Sequence, residues 1–302
     1  MPDGLISLYF GQTLPTMKVY KEIVAQAREL TSSGITEQET ILWKLLCYAA
    51  KMPLRKNQEE LINRAAQITL QAPDTYFSGG ILPFNVFKWG SGSKLILITH
   101  GWSSKAADFS SLITALIAIE NATVVAFDAP GNGSSPGELS NLILYTEALQ
   151  AIYREFGNPD IVIGHSLGAM ANMMSLEQAD IKPELLISIA PVINLKALFN
   201  NMMEAVDVPV KIRENFFERF FERFKVPASA YDLTSYTLSA ASKDHWIAYD
   251  DQDAVVNTDF LIEFLKLHPA IETTLYSGTG HEKLIRREEL LQELMQRIRR
   301  IV

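Results

Sequence analysis

The period of the apolar positions changes near residue 80. Before it, apolar residues recur at steps of three and four. In "TMKVYKEIVAQAREL", Val19, Ile23, Ala27 and Leu30 fall on one helical face, and Gly34 can end that helix. A second stripe, Ile41, Leu42, Leu45, Leu46 and Ala49, stops before Pro53. A third helix is predicted over residues 57–68, so residues 1–70 read as a helical extension.

From residue 81 onward, short apolar runs alternate with helical stretches. "ILPFNVFKW", "KLILIT", "ATVVAF", "DIVIG", "ELLISIA", "HWIAY" and "IETTLY" are apolar on both faces, as strands covered on both sides are. Helical patterns fill residues 105–119, 138–156, 167–179, 256–267 and 283–300. Alternation of this kind predicts an α/β fold: a mostly parallel sheet with right-handed crossovers and helices on both faces. The first two strands, joined by "SGS", are expected to form a hairpin that adds antiparallel character at one edge. Residues 71–302 would then be a single domain.

One connection is too long for a crossover. An insertion at about residues 192–240 contains "VPVKIRENFFERFFERFKVP", which is strongly amphipathic. Phe216, Phe220 and Phe224 share a face, with Phe217 and Phe221 beside it. That face serves a cap over a site or plain packing on the core, since both require it. Phe216, Phe217 and Phe220 are the candidates here for a substrate pocket, and the indole of Trp102 is a further candidate for its wall.

Composition narrows the partners. With 48% hydrophobic and 21% charged residues, the chain can build an ordinary packed core. Its formal net charge of −8 repels phosphate backbones and argues against nucleic acid as a partner. Cys47 is the only cysteine, which leaves no intrachain disulfide and no cysteine-based metal cluster. The stretch "MPDGLISLYFGQTLP" has no basic leader region, and no run of 18 apolar residues occurs. A soluble, cytoplasmic protein without a membrane span is expected.

Ligands of open parallel sheets bind at the carboxyl ends of the strands. The strand before "HGWSS" ends in a tight turn at Gly101, which can aim the Trp102 amide into the cleft. "DIVIG" ends in "HSLGAM" and enters a helix, the setting of a nucleophile elbow. Gly164 and Gly168 leave room for that turn. Ser166 would sit at its tip, and the Leu167 amide would be a second oxyanion donor.

A serine hydroxyl needs a base, and the base needs an orienting carboxylate. The chain has five histidines. His100 and His165 precede the serine, His245 begins a strand, and His268 follows a helix. His281, in the Gly-rich "SGTGHEKL" after the last strand, stands where the base belongs. The acid should follow "HWIAY", where "YDDQDAVV" offers Asp250, Asp251 and Asp253. Asp253 is preferred because it lies past the turn; Asp250 would shape the turn and Asp251 face water. Asp128 in "FDAPGNG" reads as a turn residue that bonds loop amides.

"HGW", "FDAPGNGSSPG", "GHSLGAM", "YDDQDAVV" and "GTGHEKL" follow the order and spacing of the α/β-hydrolase superfamily. The chain resembles its esterase-like bacterial serine hydrolases over roughly residues 75–302. The resemblance implies a Ser166, Asp253, His281 triad, an oxyanion hole from Trp102 and Leu167, and neither a metal nor an organic cofactor. Two features depart from the pattern. Asp250 stands where many members carry glycine, and residues 1–70 have no counterpart in the minimal fold. That segment could cover the sheet, extend the cap or form a homodimer interface. The expected activity is hydrolysis of a carboxylic ester or related acyl bond in a small-molecule substrate. Acyl transfer, peptide cleavage and carbon–carbon hydrolysis use the same chemistry. A non-catalytic binding or sensor protein on the same fold is the alternative.

Overall fold

A computed structural model describes residues 15–236 and 242–302. The amino-terminal stretch read for a leader and the last residues of the 192–240 insertion fall outside these ranges. The elements, in chain order, begin with helices α1 (Pro15–Arg28), α2 (Ile35–Cys47) and α3 (Lys56–Asn63). Strands β1 (Ala66–Asp74), β2 (Gly80–Gly90) and β3 (Lys94–Thr99) follow, then α4 (Ser110–Leu116) and β4 (Ala122–Asp128). Next come α5 (Leu142–Phe156), β5 (Ile161–His165), α6 (Leu167–Ala179) and β6 (Leu185–Ile189). The insertion holds α7 (Leu195–Glu204) and α8 (Val210–Phe224). The chain closes with β7 (Asp244–Asp250), α9 (Thr258–Leu267), β8 (Glu272–Tyr276) and α10 (Glu288–Ile298).

The eight strands form one sheet in the order β1-β2-β4-β3-β5-β6-β7-β8. From β4 to β8 every pairing is parallel. The central strands are uniformly apolar because both faces are covered: β4, β5 and β6 are buried at every position. Alternate residues divide between two cores. Leu97, Val125, Val162, Leu186 and Ile247 pack with α5 and α6 on one face. Ile98, Ala126, Ile163, Ile187 and Trp246 pack with α4 and α10 on the other.

The edge differs from expectation in two ways. The predicted hairpin between the second and third strands does not pair. β2 instead lies between β1 and β4, antiparallel to both. β3 is apolar on both faces and takes an interior place, paired with β4 and β5. The third helix ends at Asn63, and the chain then enters β1 rather than remaining helical to residue 68. Ile68, Leu70 and Ala72 alternate there with exposed Gln67, Thr69 and Gln71, the signature of a half-covered edge strand. Pro73 is tolerated because β1 has a free edge. β1 also carries the sheet across residue 70, the expected limit of the extension.

The α1 face read in sequence turns inward at Ile23, Ala27 and Leu30, but it is centred differently at its start. Met17, Tyr20, Ile23, Val24 and Ala27 are buried, whereas Val19 is 41% exposed. α2 buries Ile41, Leu42, Leu45 and Leu46 as expected. These helices share a core with the α5–α6 face of the sheet and with the insertion. Trp43 of α2 packs against Phe216, Phe220 and Phe224 of α8, with ring centroids 4.7, 5.8 and 5.6 Å away. No helix among the described residues is long and apolar enough to cross a membrane.

Candidate active site

The site is built at the carboxyl ends of β3, β5, β7 and β8. β5 delivers Ser166 at the N-cap of α6 with φ 55° and ψ −124°. A non-glycine residue in that region carries roughly 1–3 kcal/mol of strain, tolerated where the surroundings impose it. Here they do. The Ser166 amide donates to Ile189 O at 3.0 Å, and its carbonyl accepts from Ala169 N at 3.1 Å. At Gly168 a Cβ would run into the carbonyl oxygen of His100, so only glycine lets the helix approach β3 this closely. At Gly101 a Cβ would lie 3.0 Å from Ser166 Cβ, which sets the loop after β3 directly against the serine.

The structure brings the three residues singled out in sequence together. Ser166 Oγ lies 2.8 Å from His281 Nε2. His281 Nδ1 lies 2.6 Å from Asp253 Oδ2. The other carboxylate oxygen, Oδ1, accepts the Val255 and Val256 amides at 2.8 and 2.9 Å. Burial alone would push the Asp253 carboxyl up, but the His281 ring and these two amides outweigh it and hold the group below its ordinary value. The site is secluded: Ser166 is 7% and His281 8% exposed.

The neighbouring acids divide as read in sequence. Asp250 shapes its turn, accepting from Gln252 N at 2.9 Å. Asp251 is exposed and takes the Ser277 hydroxyl at 2.9 Å. Asp128 accepts from Ala106 N and Ser134 N at 2.8 and 2.7 Å, bonding loop amides. His100 is fully buried and receives the Ala129 amide on Nε2 at 2.9 Å. His245 contacts Ser188 Oγ at 3.0 Å, away from the serine.

A cavity of about 410 Å³ opens on Ser166, His281, Trp102 and Leu167. Leu167 follows Ser166 directly in the chain, and the loop that carries Trp102 packs against the serine at Gly101. Phe216, Phe217 and Phe220 do not line this cavity. Phe216 and Phe220 are buried against Trp43, and Phe217 lies under the Lys196 ammonium at 5.3 Å. An amphipathic face reports that a partner exists, and here the partner is α2. The insertion contributes instead through Leu195, Leu198, Phe199 and Met202 of α7. Their helical spacing was visible in "NLKALFNNMME". From the N-terminal segment come Leu46, on the second apolar stripe, and Met52 to Arg55 and Gln58, which carried no such signal. Among the described residues, no group of three or more His, Cys, Asp or Glu side chains is placed to hold a metal ion.

Solved structures share this architecture. An esterase of Pyrococcus furiosus aligns with a TM-score of 0.58 at 16% identity, over 85% of this chain and 96% of that one. A carboxylesterase of the thaumarchaeon Nitrososphaera gargenis aligns at 0.56 and 14% identity, over 78% and 98%. The mouse alpha/beta hydrolase domain-containing protein 10 aligns at 0.59 and 15% identity, over 78% and 97%. At such identities the likeness speaks for the fold. Comparison with curated proteins finds no match. The model of the alpha/beta hydrolase family matches residues 95–300, more than half of the sequence, and the chain belongs to that family.

Proposed function

We propose that the protein is a serine hydrolase that cleaves a carboxylic ester, or a related acyl bond, through an acyl-enzyme intermediate. The observation that carries this reading is the continuous path Asp253–His281–Ser166, with contacts of 2.6 and 2.8 Å, ending at a 410 Å³ cavity. Ser166 Oγ attacks the carbonyl carbon while His281 Nε2 takes its proton. Asp253 accepts the Nδ1 proton in a hydrogen bond and stabilises the imidazolium. The Trp102 and Leu167 amides donate to the oxyanion, each worth about 3–4 kcal/mol of transition-state stabilisation. His281 then protonates the leaving alcohol as its bond to the acyl carbon breaks. Water, giving its proton to the same nitrogen, releases the acid and restores the serine.

The strained backbone of Ser166 also favours catalysis over binding alone, since a binding pocket has no need of it. The printed activities of the Pyrococcus and Nitrososphaera proteins, an esterase and a carboxylesterase, agree with this reading. The test is labelling by a fluorophosphonate probe, with Ser166→Ala as control. Labelling confined to the wild type is expected; a folded wild type that resists the probe would sink the proposal.

A further inference from the structure

The cavity beside Ser166 is divided by chemistry. Leu46, Leu142, Leu195, Leu198, Phe199 and Met202 form an apolar wall. Arg55, Lys105, Asp108, Glu282 and Arg286, with the neutral amide of Gln58, form a polar one. The cations arrive from three separate segments: Arg55 at the N-cap of α3, Lys105 in the loop after β3, and Arg286 in the loop after His281. The whole chain has a net charge of −8, so three cations facing two acids at one locus run against its average.

The acids do not cancel these cations. Among the described residues, Asp108 is the only carboxylate in ion-pair contact with Lys105 or Arg286, at 3.2 and 3.5 Å, so one carboxylate bridges two cations. Lys105 and Asp108 side chains are only 8% and 11% exposed, so this pair is part of the built wall rather than a solvated surface contact. Arg55 forms no ion pair among the described residues. Burial pushes the Glu282 carboxyl up against the pull of His281 and Arg286, and it forms no ion pair among the described residues, so the locus keeps three cations to two acids.

Orientation follows from the proton path. His281 must reach the leaving group, and Glu282, Ile285 and Arg286 line the cavity directly after it. The apolar wall remains for the acyl chain. We infer that the substrate carries an anionic group, a carboxylate or a phosphate, on the portion that leaves, and that Arg55 and Arg286 hold it. The inference rests on the hydrolase reading above. It adds no chemical step: the anionic alcohol departs with the proton from His281 and its own charge intact.

Matched butanoate esters test this. The 4-(butanoyloxy)benzoate carries a carboxylate on the leaving phenol, 4-(butanoyloxy)phenyl phosphate carries a phosphate, and 4-(butanoyloxy)benzamide is neutral. Phenyl hydrogen succinate places the anion on the acyl side. Each kcat/KM is divided by the ester's rate of hydrolysis by hydroxide, which removes leaving-group reactivity. An anionic-to-neutral ratio of about ten or more is expected at low salt, declining as salt is added. The better of the carboxylate and phosphate arms identifies the group. The ratio should fall towards one in Arg55→Gln and Arg286→Gln. Cleavage of the neutral ester with a ratio near one overturns the anion site and leaves the hydrolase reading standing. Preference for the succinate overturns the orientation. A ratio that survives both substitutions overturns the role of the arginines. Cleavage of no ester by the folded protein overturns both readings together.

Discussion

The carboxylate of Asp250 ties the loop after β7 to the loop after β8. One oxygen accepts the Gln252 amide at 2.9 Å, the other the Thr279 amide at 2.8 Å. Asp250 is fully buried, and its two partners flank the loops that carry Asp253 and His281. The residue stands where many α/β hydrolases have glycine, and here its side chain replaces conformational freedom with a bridge.

Removing that bridge should harm turnover without touching a reacting group. Asp250→Ala leaves two amides unpaired, at a cost of about 2–4 kcal/mol in stability. It should also lower kcat tenfold or more, because small displacements of a base are costly. Asp250→Asn keeps one acceptor and should fall between. Urea unfolding and ester turnover check this; a kcat equal to wild type in Asp250→Ala would separate the bridge from the site.

Asp253→Asn tests the acid directly. Its amide would present a donor to His281 Nδ1 and favour the tautomer with the proton on Nε2, which cannot accept from Ser166. A loss of about 10³–10⁴ in kcat is expected, with the fold retained. Steady-state kinetics beside a circular dichroism spectrum decide it. A variant within tenfold of wild type would transfer the role to another carboxylate.

His165 predicts an acid limit on stability. Its Nε2–H donates to the main-chain oxygen of His281 at 3.2 Å, and the rings lie 4.8 Å apart. Burial first, and the neighbouring His281 second, lower its pKa from 6.5 to about 3. Between those values the unfolded chain takes up a proton that the folded protein refuses. Stability therefore falls as pH drops through that window, by up to about 1.4 kcal/mol per pH unit for this group. Unfolding free energies of wild type and His165→Gln, measured from about pH 7 to pH 4, should diverge most at the neutral end and converge towards acid. A difference constant across pH would refute the assignment.

The residues proposed to carry the chemistry were legible because each obeys a local rule. Ser166 ends a buried strand at a Gly-flanked turn, and Asp253 and His281 follow later strands in the expected order. The sheet edge was less legible. β1 is short of strong strand formers, and β2 and β3 look like a hairpin because they are neighbours in sequence. Only the all-apolar character of β3 explains its move to the interior, and that requires knowing what competes for the place. The phenylalanine face of α8 posed a similar problem, because amphipathicity specifies a buried face without naming what buries it. Its partner is Trp43, more than 170 residues away along the chain.

Trp43 therefore joins the N-terminal segment to the insertion, and the cavity should depend on it. Glu39 Oε1 accepts from both Trp43 Nε1 at 3.2 Å and Arg223 Nη2 at 3.0 Å, and the Arg223 guanidinium lies 5.3 Å from the Trp43 ring. The aromatic contact should outweigh the ion pair, because the pair is partly exposed and such pairs contribute about 0–1 kcal/mol. Trp43→Ala opens a void between α2 and α8 and should cost about 3–5 kcal/mol, whereas Arg223→Gln should be mild. α2 supplies Leu46 to the apolar wall and α7, packed beside α8, supplies Phe199 and Met202. Loosening their contact should raise KM for long acyl esters severalfold while kcat changes less, since Ser166, Asp253 and His281 are held by the sheet. Thermal melts and a chain-length series of esters measure both effects. Loss of kcat with KM unmoved would mean that the N-terminal segment supports the reacting residues rather than the wall.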